Sequence, residues 1–309
     1  MEVLSLKYLA IDFGGTEIKY ALMGKSGEIL EKEKVKTPGM DKTLDDLLAV
    51  LDEVIPQYLP QINGIALSLP GILDSNTGHS YSSGLLVYIA GHNLPEILTE
   101  KYNLPVTVEN DGKSAALAEL WLGSLSEVDN GAVVLLGTAV GGGIIIDRKL
   151  HRGNKFAAGE MSFMMTNPER PEFWGGTGGS SNLLRLACQK LELEQGTLDG
   201  YAFFEKANAG DADMLAVLAK YCDGLAGQFY NLQTLLDLDV IAIGGGISRQ
   251  PLLHEELQKA VDRFRAQHPF HHFMPATAIP KPKITSCKFF NGSNLIGALY
   301  HHLKMTGQL

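Results

Sequence analysis

The chain is short of several things, and each shortage excludes something. Cysteine is scarce, with three residues in 309, at positions 188, 222 and 287, and no CxxC spacing. That argues against a disulfide framework and a cysteine-based zinc knuckle. Each cysteine sits in an apolar stretch, so buried, reduced thiols are expected. Positive charge is also short: 26 Lys and Arg stand against 35 Asp and Glu, a net charge of −9. Without a basic block to neutralise phosphates, no nucleic-acid partner is expected. No apolar run reaches the ~20 residues of a membrane helix, and the N-terminus lacks the charged and apolar regions of a signal peptide. The expected setting is cytoplasmic, with no membrane partner. Neither GxxxxGK[ST] nor GxGxxG occurs, so a Walker loop and a dinucleotide fingerprint are both unsupported. Disorder is excluded too, because apolar residues make up 45% of the chain and charged residues only 20%.

Glycine is plentiful, at 34 residues, and its placement carries the information. A strand Tyr8–Asp12 runs into Gly14-Gly15, a second from Glu17 to Met23 reaches the turn Gly24–Gly27, and a third, alternating one runs from Glu28 towards Val35. After Pro38-Gly39 the period becomes helical from Leu44 to Ile55, with Asp41 as the expected cap. Ile65–Leu69 reads as a buried strand ending at Pro70-Gly71. Val106–Val108 reads as a short strand running into Glu109-Asn110-Asp111, where an Ala-rich helix opens. The opening layout then returns. Strand Ala132–Leu136 meets a Gly turn (Gly137-Thr138, Gly141–Gly143), strand Ile144–Ile146 meets Asp147–Lys149, and another strand begins at Leu150. This likeness of layout points to an internal duplication, hence an α/β fold of two similar lobes flanking a central cleft.

The second half adds an irregular Gly-rich segment, Trp174–Gly179, and helices near Ser180–Leu191 and Ala212–Leu236. The apolar strand Val240–Ile243 runs into Gly244-Gly245-Gly246, and a helix follows near Leu252–Phe264. A loop with Pro and His (His268–Lys283), a strand Ile284–Phe289 and a helix Ser293–Leu303 come last.

Asp12-Phe-Gly-Gly-Thr16 places a carboxylate at a strand end before two glycines, whose exposed N–H groups can bind phosphate oxygens at Gly14, Gly15 and Thr16. Asp12 could hold Mg²⁺ directly or through water. Gly137-Thr138 stands in the repeated position, so two hairpins could grip one polyphosphate. Gly244, Gly245 and Gly246 after a parallel-type strand permit close approach of a flat ligand. Asp111, where a strand meets a helix, is the candidate general base for a hydroxyl attacking a phosphoryl group, although an Asp at a helix start is more often a cap. Lys19 is expected to be a solvated strand residue. His268, His271 and His272 read as solvated loop residues, and His301 and His302 are expected to face water.

Together these segments resemble the ROK family (repressor, open reading frame, kinase) of the actin/hexokinase/heat-shock-protein superfamily. The likeness covers nearly the whole chain. Asp12–Lys19 resembles the family's first phosphate motif, Glu109–Ala116 the segment bearing its catalytic Asp, and Gly137–Gly143 its second phosphate motif. Gly159-Glu160 resembles a sugar-contacting pair, Ile243–Ser248 the adenosine motif, and Asn294–Ala298 the C-terminal helix packing on the first lobe. The resemblance implies two ribonuclease-H-like lobes: a smaller one of residues 1–115 plus 293–309, and a larger one of 116–292 carrying the adenosine site and the dimer contact. It implies ATP and Mg²⁺ as cofactors, transfer of the γ-phosphoryl group to a sugar hydroxyl (usually that on carbon 6), and a homodimer. Asp111 would be the base, with Asn110, Glu160, Phe163 and Gly71 on the sugar side. The competing expectation is a non-catalytic, sugar-sensing regulator; the repressors of the family carry an N-terminal helix-turn-helix, for which the strand beginning by Leu9 leaves no room.

The departures from the pattern bear on substrate. Many members have a His after Gly-Glu-x-Gly and then a CxCGxxGCxE zinc motif; here Phe163 stands in the His position and Phe173–Ser181 replaces the zinc segment. No structural zinc is therefore expected. In the family, that His and the Glu ending the motif contact hydroxyls near the anomeric carbon, so their loss weakens recognition of a free reducing sugar. Either Phe163 or Trp174 stacks on a second sugar or aglycone, which points towards β-glucosides or disaccharides and a likeness to β-glucoside kinases, or Phe163 packs in the core and the substrate is an ordinary hexose.

Overall fold

The computed structural model describes residues 6–267, 279–290 and 292–309. The expectations for His268, His271 and His272 lie outside them. Two compact units emerge: residues 1–122, 150–158 and 291–309 form one, and 123–149 and 159–290 the other.

In the first unit, β1 (Lys7–Phe13) and β2 (Glu17–Gly24) pair antiparallel across the Gly14-Gly15 turn, and β3 (Ile29–Lys36) completes a meander. β3 lies at the sheet edge and is mostly exposed; its Glu and Lys residues discourage pairing with another chain there. Leu47, Leu51 and Val54 of α1 (Leu44–Val54) turn inward. The cap of this helix is Thr43 rather than Asp41. Its Oγ1 accepts from Asp46 N–H at 3.3 Å, and the Asp46 carboxylate accepts from Thr43 N–H at 2.8 Å, a reciprocal pair that only the residue next to the first turn can make. After these come β4 (Ile65–Leu69), α2 (Leu94–Tyr102), β5 (Val106–Asn110) and α3 (Asp111–Leu122). The sheet order is β3-β2-β1-β4-β5, with β4 parallel to both β1 and β5. Leu9, Ile11, Ile18 and Leu67 join the α1 residues in one core.

The second unit repeats this plan. β6 (Gly131–Leu136) and β7 (Val140–Ile146) pair antiparallel, and β8 (Lys149–Leu150) ends the meander after two residues, much shorter than its counterpart β3. A small hairpin, β9 (Met165–Asn167) and β10 (Glu172–Phe173), precedes α4 (Trp174–Gly178), α5 (Ser180–Lys190), α6 (Gly200–Asn208) and α7 (Ala212–Leu236). Then come β11 (Val240–Gly244), α8 (Pro251–Gln267) and β12 (Lys283–Ser286). The sheet order β12-β11-β6-β7-β8 is, read from β8, the order of the first sheet, and β11 runs parallel to both β6 and β12. The duplication seen as layout in the sequence is thus a duplication of topology. Trp174–Gly178 is a short helix, not an irregular segment. The last strand stops at Ser286. All three cysteines are buried.

The final helix, α9 (Ser293–Met305), belongs to the first unit and lies on α3 and against β1, β4 and β5. Gly297 allows the helices to touch: a Cβ there would sit 1.7 Å from the Ser114 carbonyl oxygen. Because α9 is covered on two sides, His301 and His302 are buried, at 4% and 0% exposure, and do not face water. Among the described residues no helix is long and apolar enough to cross a membrane.

Candidate active site

The candidate residues fall in both units. In the first, β1 delivers Asp12 to the hairpin. Its carboxylate is buried, and Oδ1 accepts from Ser68 Oγ at 2.8 Å and from Asn294 Nδ2 at 3.0 Å. Burial raises its pKa, and these two bonds with the charges of Lys19 and Lys32 oppose the rise. Lys19 lies directly opposite Asp12 across β1 and β2, a strand residue that is partly exposed. In the turn, Gly14 N–H closes on Glu17 O at 3.1 Å, while Gly14 O and Thr16 O accept from the Thr37 side chain and backbone. The N–H groups of the exposed Gly15 and Thr16 have no partner among the described residues.

β5 ends in Asn110, and Asn110 rather than Asp111 caps α3. Its Oδ1 accepts from Lys113 N–H at 2.9 Å, and its Nδ2 donates to Gly71 O at 2.8 Å. Asp111 is the first helical residue, half-buried, with Oδ1 accepting from Gly112 N–H at 2.7 Å. Gly71 has φ +93°, and a Cβ there would lie 2.3 Å from Ser82 O, so no side chain fits the turn that offers its carbonyl to Asn110. Sequence reasoning passed over the neighbour, Glu109. It is 1% exposed and pairs with Arg152, which is 43 residues away. No local pattern announces such a pair.

In the second unit the other hairpin repeats the first. Gly137 N–H closes on Ala139 O at 3.0 Å, and the N–H groups of the exposed Thr138 and Ala139 have no partner among the described residues. The segment Phe173–Ser181 braces this turn. Gly137 O accepts from Ser180 N–H at 2.8 Å and Ser180 Oγ at 2.9 Å, and a Cβ on Gly179 would lie 2.5 Å from Thr138 O. Tyr221 OH holds the far end through Gly178 O at 2.7 Å. Two residues past Glu160, Ser162 Oγ donates to Val140 O at 2.7 Å and accepts from Val140 N–H at 3.3 Å, tying the Gly159-Glu160 turn to the hairpin strand. Glu160 is half-buried. Phe163 is 70% exposed, which overturns the reading that it packs in the core; Met165 and Phe173 are exposed beside it in sequence. Trp174, by contrast, is 1% exposed, edge-on to Phe229 at 6.2 Å, and has no face to offer a ligand.

The third glycine run follows β11. Gly245 has φ +97° and a Cβ there would lie 2.3 Å from Leu136 O, so the run lies against the end of β6. Among the described residues nothing lies within 4 Å of a Cβ on Gly246.

Mg²⁺ fits what Asp12 offers. Asp12 supplies a hard carboxylate oxygen, buried, near N–H groups that have no partner among the described residues and suit phosphate. Among the described residues no three His, Cys, Asp or Glu side chains gather to hold a metal. An ion keeping several waters and sharing phosphate oxygens asks for no such cage.

Two five-stranded sheets of one topology, each opening on a glycine hairpin, make the actin-like ATPase fold. The sequence profile of the ROK family matches residues 8–304, and the chain belongs to that family, among its sugar kinases. A β-glucoside kinase of Listeria monocytogenes is 32% identical over 306 residues, covering 97% of this chain and 98% of its own. An N-acetylmannosamine kinase of Vibrio cholerae serotype O1 is 30% identical over 262 residues, covering 83% of this chain and 89% of its own. Among solved structures, a ROK family protein from Streptococcus pneumoniae TIGR4 in complex with sucrose superposes with a TM-score of 0.86 at 32% identity, covering 98% of this chain and 100% of that one.

Proposed function

We propose that this sugar kinase transfers the γ-phosphoryl group of ATP to the 6-hydroxyl of a β-glucoside. Phe163 carries the substrate class: a large aromatic residue, 70% exposed, three residues after Glu160, where many relatives have a polar His. An aromatic face suits a second sugar ring or an aglycone better than an anomeric hydroxyl. The β-glucoside kinase of L. monocytogenes supports the same class, and the sucrose-bound S. pneumoniae protein, whose ligand is an α-linked disaccharide, supports room for a second sugar ring only.

Asn110 and Glu160 hold sugar hydroxyls. Asp111 accepts the proton of the 6-hydroxyl as that oxygen bonds to the γ-phosphorus, and the bond from phosphorus to the bridging oxygen breaks, leaving ADP with the electron pair. The N–H groups of Gly15, Thr16 and Thr138 receive phosphate oxygens, and Gly244 to Gly246 line the nucleoside. Asp12 would hold Mg²⁺, directly or through water; when bound, the ion offsets charge on the phosphates.

The test is ADP release with Mg-ATP on glucose, N-acetylmannosamine, cellobiose, gentiobiose and salicin. The β-glucosides should show the highest kcat/KM, and Asp111→Asn should cut kcat by about 10²- to 10⁴-fold while sugar binding persists. Phe163→Ala should raise KM for cellobiose and salicin but not for glucose. Preference for a free hexose or hexosamine overturns the substrate class. Sugar binding without turnover of any substrate points to a regulator instead.

A further inference from the structure

We propose that Arg152 is a positioning residue of this kinase: by gripping the buried Glu109 carboxylate it fixes the backbone at Asn110, and with it the aim of Asn110 and Asp111. The inference rests on the sugar-side and base roles given to those two residues above.

Glu109 is the last residue but one of β5 and is 1% exposed. A carboxylate taken that far from water must be paired and hydrogen-bonded. Its two oxygens divide the task. Oε2 accepts from Arg152 Nε at 2.8 Å and lies 2.6 Å from Nη2. Oε1 accepts from the backbone N–H of Asn110 at 2.9 Å. The guanidinium therefore holds one oxygen so that the other can hold the sugar-side residue. Asn110 is then fixed at three points: its N–H on Glu109, its Nδ2 on Gly71 O and its Oδ1 on Lys113 N–H. Asp111 leaves this clamp as the first residue of α3, so its direction follows from the clamp.

The rest of the surroundings agrees. Arg152 Nη2 lies 3.3 Å from His301 Nδ1, and burial pushes the His301 pKa down, so the neutral ring can accept there. Arg152 lies in residues 150–158, a brief return of the chain to the first unit between two stretches of the second. Its planar fork, rather than charge alone, makes both contacts to Oε2, and lysine cannot reproduce it.

Three variants separate positioning from mere support of the fold. Arg152→Lys keeps the charge and loses the fork. Arg152→Met strands a buried carboxylate, and the double variant Glu109→Gln/Arg152→Met removes that charge again. The first readout is hydrogen exchange of the peptide spanning residues 108–114. The second is kinetics on cellobiose and glucose, with KM for ATP measured alongside. Arg152→Lys should speed exchange at Asn110 and lower kcat/KM for sugar by about 10- to 100-fold, with KM for ATP unchanged. The double variant should regain most of the thermal midpoint lost in Arg152→Met but not the sugar kcat/KM. Wild-type exchange and kinetics in Arg152→Lys, or sugar kinetics that recover together with stability in the double variant, overturn the proposal. A wild-type chain that phosphorylates no sugar would sink the role given to Asp111, while the exchange readout would still decide whether Arg152 sets Asn110.

Discussion

Acid should weaken this protein through its last helix. The His302 side chain is fully buried, with Nδ1 3.0 Å from Thr107 Oγ1 and the ring edge-on to Tyr8 at 5.5 Å. Burial, reinforced by the neighbouring His301, pushes its pKa from 6.5 down to about 4. The unfolded chain therefore takes up a proton near pH 6.5 that the folded chain refuses until about pH 4. Stability from this group is complete above the upper value and falls as pH drops through the window, because the unfolded state binds more protons there. At about 1.4 kcal/mol per pH unit, His302 alone removes about 2 kcal/mol by roughly pH 5. Burial lowers the His301 pKa as well, which adds in the same direction. Urea unfolding of the wild type and of His302→Gln, from about pH 7.5 to about pH 5, isolates the effect. The glutamine variant starts less stable, but its loss on acidification should be smaller by about 2 kcal/mol. Parallel stability curves for the two proteins would refute the reasoning.

Two further outcomes follow from close contacts. Gly297→Ala puts a methyl group 1.7 Å from a backbone oxygen of α3, so the two helices must move apart to admit it. It should cost about 1–3 kcal/mol or more by chemical denaturation, and a neutral result would mean that the crossing is looser than described. Thr43→Ala removes one half of the α1 capping box and should cost about 1 kcal/mol with kinetics unchanged, whereas Asp41→Ala should cost little.

The elements of the candidate site were readable because their signals are local. Asp12-Phe-Gly-Gly-Thr16 and Gly137-Thr138 announce hairpins by glycine placement alone, and the recurrence of one layout foretold the repeated sheet topology. What escaped was decided by distant partners. His301 and His302 looked solvated because neighbouring polar residues on a terminal helix usually are; α9 is covered by α3 on one side and by strands on the other. Asp41 and Thr43 are both good caps in sequence, and only the reciprocal bond to Asp46 separates them. Glu109 and Arg152 carry no mutual signal at all. Trp174 and Phe163 were alike as exposed-aromatic candidates, yet α4 turns Trp174 into the core of its unit while the turn after Glu160 leaves Phe163 in solvent.

The path of the chain also sets an order of assembly. The second unit is built from residues 123–149 and 159–290, all of which leave the ribosome before α9 does. Until residues 293–305 emerge, the first sheet waits with Asp12 and Thr107 lacking their helical partners Asn294 and His302 on that face. Synthesis therefore completes the later-encoded unit first, and the nascent first unit is the stretch most in need of protection from aggregation during those seconds. A premature stop between β12 and α9 would release a chain carrying both glycine hairpins and the candidate base, but with the sheet that presents Asp12 left open on one face.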